Sequence, residues 1–247
     1  MGIRIVRVLD LFSGTQSVKK ACDIFVKEYL EKYGIVIEID YIGIDIYSPE
    51  EENLILDLSQ DDIVNKVVAI LPKGWIPDFI WASPVCNKFS ITTAVKGGTL
   101  YFEKTRQGIK PRTNLGPLKI TNFKNYTKEK IQLETALHIK LVNNMVNIIE
   151  HYNTNYVIEN PYTSYIEHFL PTLIVKNKVS YCMYGYDYKK DTAIYSNCIL
   201  NLKKCNHNKH VSVIGKHKVK NNSKANYQQR ASVPPLLIKQ ILNIFLG

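Results

Sequence analysis

Apolar and β-branched residues alternate from Ile3 to Leu9, which predicts a strand. A glycine-containing turn, Phe12-Ser13-Gly14, follows it, and then a helical pattern from about Val18 to Tyr33. Ile35–Ile46 reads as a second strand. Pro49 opens a loop leading to an apolar stretch at Leu54–Leu58, and Asp61 to Leu71 predicts a short helix with Asp61 or Asp62 near its start. Phe79–Ala82 is a continuous apolar run, as expected of a strand buried on both faces. Strands alternating with helices predict an α/β fold with a mostly parallel sheet and helices on both faces.

The second half is less regular. Residues 91–126 carry Gly97-Gly98, Pro111, Gly116-Pro117 and seven cations (Lys96, Lys104, Arg106, Lys110, Arg112, Lys119 and Lys124), and read as one long basic loop. Thr127 can cap a helix reaching about Tyr152, with Leu133, Leu137, Leu141, Met145 and Ile148 expected on its buried face. Tyr156–Ile158 predicts a strand with Glu159 at its exit, and Val179–Tyr184 and Ala193–Cys198 a further pair. Residues 199–229 are polar and basic, and Pro234-Pro235 opens an apolar helix marked by Leu236, Leu237, Ile241 and Ile244.

Charge narrows the partners. The net charge is +10 over 247 residues, and no acidic residue follows Asp191. That tail instead carries Lys203, Lys204, Lys209, Lys216, Lys218, Lys220, Lys224, Arg230 and Lys239. Such a one-sign block favours a polyanion, because phosphate contacts release counterions. Five widely spaced cysteines are a poor match for a disulfide framework, so a reducing compartment is expected. The apolar run at Ile3–Leu9 is too short for a signal peptide, and no stretch approaches the roughly 20 apolar residues of a membrane span. A soluble cytoplasmic protein is the expectation.

The candidate chemistry sits at predicted strand ends. The turn DLFSG places Asp10 and Gly14 after the first strand, Asp45 closes the second, and Asp57 the third. In open parallel sheets ligands bind at that edge. Asp45 is placed to accept from ribose hydroxyls and Asp57 from an adenine amine, which together suit an adenosyl ligand. A full GxGxxG is absent, so a dinucleotide site has little support. Cys86 follows the fourth strand and Glu159 the fifth, a pairing that suits covalent catalysis with an acid partner. Cys198, Cys205, His207 and His210 match no standard zinc spacing, and no metal is expected.

DLFSG at 10–14, CNKFS at 86–90 and IENP at 158–161 resemble, in order and spacing, the signatures of DNA (cytosine-5) methyltransferases, and SVPPLLIKQI resembles the closing motif of that family. The compact form is most similar to phage-encoded members. The resemblance implies a Rossmann-like, S-adenosylmethionine-dependent methyltransferase fold. It divides the chain into a catalytic core (1–197), a small basic target-recognition insert (198–229) and a closing segment (230–247). It implies that Cys86 adds to C6 of a flipped-out cytosine while Glu159 contacts N3 and the exocyclic amine. Asp10, Phe12, Ser13, Gly14, Asp45, Ile46, Asp57 and Pro84 would form the cofactor site. Ser90, Lys96, Arg106, Lys190, Lys203, Lys204, Lys216, Lys218 and Arg230 would meet nucleic acid, and the loop 91–126 would close over the base. Double-stranded DNA is the implied partner of a monomeric enzyme, with restriction-modification as its setting. Two alternatives stay open: an RNA cytosine-5 methyltransferase, and a catalytically weak homologue that binds DNA or cofactor as a regulator. The chain departs from the family at Val85 (proline in the family), Asn87 (glutamine) and Pro161 (valine). It also lacks the glutamine-x-arginine-x-arginine segment, where it has YGYDYKKDTA, with Lys190 as a candidate substitute charge.

Overall fold

The computed structural model describes residues 3–47, 53–90, 93–113, 127–186, 188–206, 212–213 and 231–246. The first part runs β1 (Arg4–Leu11), α1 (Ser17–Tyr33), β2 (Ile37–Asp45), β3 (Asn53–Ile55), α2 (Ile63–Ile70) and β4 (Phe79–Ala82). Four short strands follow: β5 (Ala94–Val95), β6 (Gly98–Thr99), β7 (Phe102–Thr105) and β8 (Gly108–Pro111). Then come α3 (Lys128–Tyr152), β9 (Asn155–Pro161), β10 (Val175–Ser180), β11 (Tyr188–Lys189), β12 (Asp191–Ser196), β13 (Ser212–Val213) and α4 (Pro235–Leu246).

Seven strands form one sheet in the order β3-β2-β1-β4-β9-β12-β10. The first five are parallel, and β12 is antiparallel to both of its neighbours. This is the Rossmann-like, mostly parallel architecture expected from the sequence. The chain leaves β1 towards β2 on one side and returns to β4 on the other. The carboxyl ends of β1 and β4 therefore flank the switch point where such sheets bind ligands.

Alternation within each strand divides the core. Leu9, Leu11, Ile80 and Ala82 face α2 and α3, where Val67, Val142, Met145 and Ile148 meet them. Val6, Val8, Phe79 and Trp81 face the opposite layer of α1 and α4, against Phe25, Leu237 and Ile241. Successive side chains of a strand point to opposite faces, so burial on both sides explains why β1 and β4 read as nearly unbroken apolar runs.

Several expectations change. Residues 93–113 are not a loop: β5 to β8 form a separate antiparallel sheet in chain order. Its buried face, Leu100, Tyr101 and Phe102, joins the core, and Phe102 stacks on Phe89 at 5.2 Å. Two- to four-residue strands broken by glycines and lysines carry no period that a sequence can display. The remainder of the expected loop, 91–92 and 114–126, lies outside the described residues. Gly98 lies at φ +149°, and a Cβ there would stand 2.3 Å from the Phe102 carbonyl oxygen. Gly98→Ala is therefore expected to lose about 3 kcal/mol of stability, roughly 6–12 °C in Tm by thermal denaturation.

Thr127 caps α3 as predicted, its side chain accepting from Lys130 N. The buried face of α3 is rotated from the expected stripe, however. Ile131, Thr135, Val142, Met145, Ile148 and Ile149 are inside, whereas Leu133 is 72% and Leu137 42% exposed. In α4 the buried positions are Leu237, Ile238, Ile241, Leu242 and Leu246, with Leu236 and Ile244 exposed. The expected strand at Val179–Tyr184 ends at Ser180, and Tyr181–Tyr184 is a 3-10 turn. Glu159 is not beyond its strand but within it, opposite Ile194 of β12.

Candidate active site

The loop after β4 is anchored on both sides of Cys86. Ser83 N donates to the Leu11 carbonyl, which extends the β1–β4 register by one residue. Pro84 is buried, and its carbonyl accepts from Asn160 Nδ2 at 3.0 Å. Asn160 lies in β9 directly after Glu159, so the strand that carries the acid also holds the approach to the thiol. Beyond Cys86 the chain closes a turn, with Phe89 N and Ser90 N donating to the Cys86 carbonyl at 3.1 and 2.8 Å.

Lys88 completes the anchoring. Its Nζ donates to Glu134 Oε2 on α3 at 2.6 Å and to Tyr101 Oη at 2.8 Å. Tyr101 Oη donates to the same carboxylate oxygen at 2.9 Å. Burial pushes the Glu134 carboxyl up, but the bonds from Lys88 and Tyr101 outweigh it and hold it below its ordinary 4.5. A carboxylate held low adds stability above its unfolded pKa and loses it as the pH falls through the folded value. Lys88→Met should therefore destabilise the chain by about 1–2 kcal/mol at pH 7. The deficit should shrink below pH 4.5, as measured by urea denaturation across pH.

Glu159 is 7% exposed, and its Oε1 accepts from Tyr181 Oη at 2.7 Å. Lys190 Nζ is 3.9 Å from that same oxygen and 4.6 Å from the centroid of the Tyr181 ring. The thiol of Cys86 is half-buried and belongs to the same group: burial raises its pKa above 9.0, the Glu159 charge raises it further, and Lys190 lowers it. Cys86 therefore rests as a thiol at neutral pH. The structure brings together the two expected catalytic residues and adds Lys190, which had been expected on a nucleic-acid surface. In the sequence Asn160 stands out only as part of the IENP motif and Tyr181 has no assigned role, and their place beside Glu159 reveals what each does.

The turn after β1 is polar and tightly folded. Phe12 lies at φ 65° and Gln16 at φ 55°, both left-handed without being glycine. Phe12 N and Ser13 N both donate to the Ile44 carbonyl, at 2.8 and 3.2 Å. Asp45 holds two turns together, accepting from Gly14 N through Oδ2 and from Tyr47 N through Oδ1, each at 3.0 Å. Among the described residues the carboxylate has no further hydrogen-bond donor, so two of its lone-pair sites are open to a ligand. Ile46 follows, 66% exposed, and Asp57 accepts from Ser59 N at 2.8 Å in a local turn. Asp10 is 2% exposed and accepts from Tyr41 Oη at 2.8 Å. Burial, moderated by that hydrogen bond, raises its carboxyl from 3.8 to about 8, with a smaller push from Asp45.

The same corner holds buried polar atoms without partners among the described residues: Ser13 Oγ, Gln16 Nε2, and both side-chain polar atoms of Asn53. A Cβ at Gly43 would stand 2.2 Å from Asn53 Oδ1 and 2.9 Å from Ser13 Oγ, so the two side chains converge over bare backbone. Buried donors and acceptors left open in this way point to a polar ligand, since burying them unpaired is costly. A zwitterionic amino-acid group fits: Asp10 offers an acceptor for an ammonium, and Ser13 and Gln16 offer donors for a carboxylate. Gln16 and Asn53 were not among the cofactor residues read from the sequence.

The remaining expected contacts are scattered. Ser90 is 6% exposed, inside the turn that Cys86 opens. Lys96 and Arg106 are exposed in the β5–β6 and β7–β8 turns, which share one end of the small sheet. Lys203 and Lys204 are exposed beyond β12. Lys216, Lys218 and Arg230 lie outside the described residues, as do His207 and His210 of the zinc possibility. Cys205 is hydrogen-bonded to Cys182, whereas Cys198 is near Ser196. No group of three or more His, Cys, Asp or Glu suited to a metal occurs among the described residues. Among those residues, too, no helix is long and apolar enough to cross a membrane.

No protein-family model and no curated protein sequence matches the chain. Among solved structures it is similar to that of the Entamoeba histolytica methyltransferase EhMeth, at 14% identity and a TM-score of 0.45, over 80% of this chain and 55% of that one. It is also similar to the crystal structure of the S. pombe Dnmt2 methyltransferase, at 15% identity and a TM-score of 0.42, over 78% of this chain and 52% of that one. The chain thus spans about half the length of the solved chains it matches.

Proposed function

We propose that the chain transfers a methyl group from S-adenosylmethionine to C5 of cytosine in DNA, through a Cys86 adduct on a flipped-out base. The observation that carries this reading is the pairing of Cys86, in the loop after β4, with Glu159, near the carboxyl end of the adjacent parallel strand β9, within electrostatic reach of each other. The polar turn after β1, with its buried open donors, lies at the same sheet edge and supports the cofactor assignment. The excess of cations, +10 overall, supports a nucleic-acid substrate.

Cys86 Sγ forms a bond to C6, and the electron pair of the C5–C6 double bond moves towards C5. Glu159 would take up the proton that leaves Cys86, donate it to N3 and accept from the exocyclic amine, which neutralises the charge that this addition builds on the ring. S-adenosylmethionine would supply an electrophilic methyl carbon to the C5 so activated, its sulfonium leaving as the neutral thioether of S-adenosylhomocysteine. Loss of the C5 proton to solvent water then restores the double bond and expels the thiolate. Because Cys86 rests as a thiol, its proton has to leave as the base arrives, and Lys190 is the nearby cation that favours the thiolate. Access to C6 requires the base outside the stack.

Duplex DNA carrying 5-fluorocytosine tests the reading, because fluorine at C5 blocks the final elimination. Incubation with the protein and S-adenosylmethionine should give a denaturation-resistant adduct attached at the Cys86 peptide. An adduct formed with RNA instead would change the substrate, and no adduct with either polymer would sink the transfer reading.

A further inference from the structure

Tyr181 places a fully buried hydroxyl against the carboxylate of Glu159. Its side chain is 0% exposed at the start of the 3-10 turn, and its main-chain N donates to the Lys190 carbonyl at 3.0 Å. The hydroxyl donates to Glu159 Oε1, and Lys190 Nζ approaches that same oxygen while lying over the Tyr181 ring. One oxygen of Glu159 is therefore engaged twice, from β12's approach and from the turn beneath it. We infer that Tyr181 is a positioning residue: its bond to Oε1 fixes the rotation of the Glu159 carboxyl group that is presented to the base. The inference rests on the transfer reading above and deepens it.

The physical need is clear. A glutamate side chain has three rotatable bonds, and a carboxylate that must meet two adjacent atoms of a planar ring gains from being held before the ring arrives. A buried phenol suits this task because burial, and then the adjacent Glu159 charge, raise its own ionisation well above 10, so it stays a donor at any working pH. Tyr186 packs edge-on against it at 5.6 Å. Phenylalanine would fill the same space, so the hydroxyl alone can be removed.

Tyr181→Phe is compared with wild type and with Tyr184→Phe, using the full chain, cytosine-containing duplex DNA and S-adenosylmethionine. Tyr184 is the matching control: it stands in the same turn, and its hydroxyl bonds Lys203 N and Gln240. The expected result is a fall in kcat of about 10- to 100-fold for Tyr181→Phe, the worth of one hydrogen bond to a charged group. KM for DNA and Kd for cofactor should stay within about two-fold, because the bond acts in the transition state rather than in binding. Tyr184→Phe should keep wild-type kcat. A Tyr181→Phe enzyme with unchanged kcat, or one altered only in KM, would overturn the assignment. A second measurement needs no substrate: a folding cycle of Tyr181→Phe, Glu159→Ala and the double variant in urea. A coupling of about five-fold or more in the folding equilibrium is expected, and no coupling would overturn the contact. If the wild-type chain transfers to neither DNA nor RNA, the transfer reading fails, and the cycle still decides whether Tyr181 holds Glu159.

Discussion

Cys86→Ala is expected to abolish methyl transfer, by at least about ten-thousand-fold, while leaving the fold and cofactor binding intact. The proposed reaction splits one hard substitution at an unactivated ring carbon into an addition and an elimination, and only the sulfur makes C5 nucleophilic. No neighbouring group can replace it: Glu159 and Lys190 adjust charge, and neither adds to carbon. The loop should survive the change because its bonds at this position come from the main chain. The Cys86 carbonyl accepts from Phe89 N and Ser90 N, and the approach is held through Pro84 and Asn160. Transfer of a radiolabelled methyl group to duplex DNA measures the loss, calorimetric titration with the cofactor checks the site, and a melting curve checks the fold. Measurable transfer by the alanine enzyme would remove Cys86 from the mechanism. The same thiol should respond to pH in the free protein. Burial and Glu159 raise it above 9.0. Its alkylation by iodoacetamide, followed on the Cys86 peptide, should still be climbing at pH 9 instead of reaching a plateau near neutrality.

How far this site could be read from sequence depended on what each residue does locally. Phe79–Ala82 was legible to the residue, because a strand buried on both faces has to be apolar throughout. Cys86 and Glu159 were legible because reactive groups stand out against the apolar runs that precede them, although Glu159 proved to lie within its strand and not at its exit. The four strands of the small sheet were not, since strands this short take their stability from Arg112, Thr99 and the Phe89 contact rather than from any period. The face of α3 was legible at Met145 and Ile148, which are inside, and misread in its first half, where Leu133 and Leu137 satisfy the helical spacing yet are exposed, since periodicity cannot tell which of two apolar stripes is inside. The sequence reads Lys190 as a nucleic-acid contact and as a candidate substitute charge for the absent arginine segment. Its partners reach it across two strand pairings, Glu159 through β9 with β12 and Tyr181 through β10 with β12, where Ser180 stands opposite Asp191. Tyr181 had no signal of its own, because a tyrosine beside a strand end is ordinary until its hydroxyl is seen to meet a buried carboxylate.

Asp10 links the fold to the cofactor edge, and its titration should be visible in stability. The carboxyl is raised from 3.8 to about 8, chiefly by burial. Between those values the unfolded chain has lost the proton and the folded chain retains it, so stability falls as the pH rises. The contribution is fully present below about 3.8 and is lost by the time the pH passes about 8. Asp10→Asn keeps the shape and an acceptor for Tyr41 Oη, and has no proton to lose. The variant should match wild type near pH 3.8 and become the more stable protein as the pH climbs, by an amount on the order of a few kcal/mol at pH 8. Urea denaturation at a series of pH values measures this. Parallel curves would show that Asp10 ionises freely in the folded chain. The gain in stability should come with a loss of function. A ligand ammonium beside Asp10 would pull its proton off and offset the burial, so cofactor binding to wild type should release up to one proton near pH 7. Calorimetry in buffers of different ionisation enthalpy reads that release, and Asp10→Asn should bind more weakly and release none. Proton release that persists in the variant would move the ammonium away from Asp10, leaving Ser13, Gln16 and Asn53 as the open polar groups of that corner.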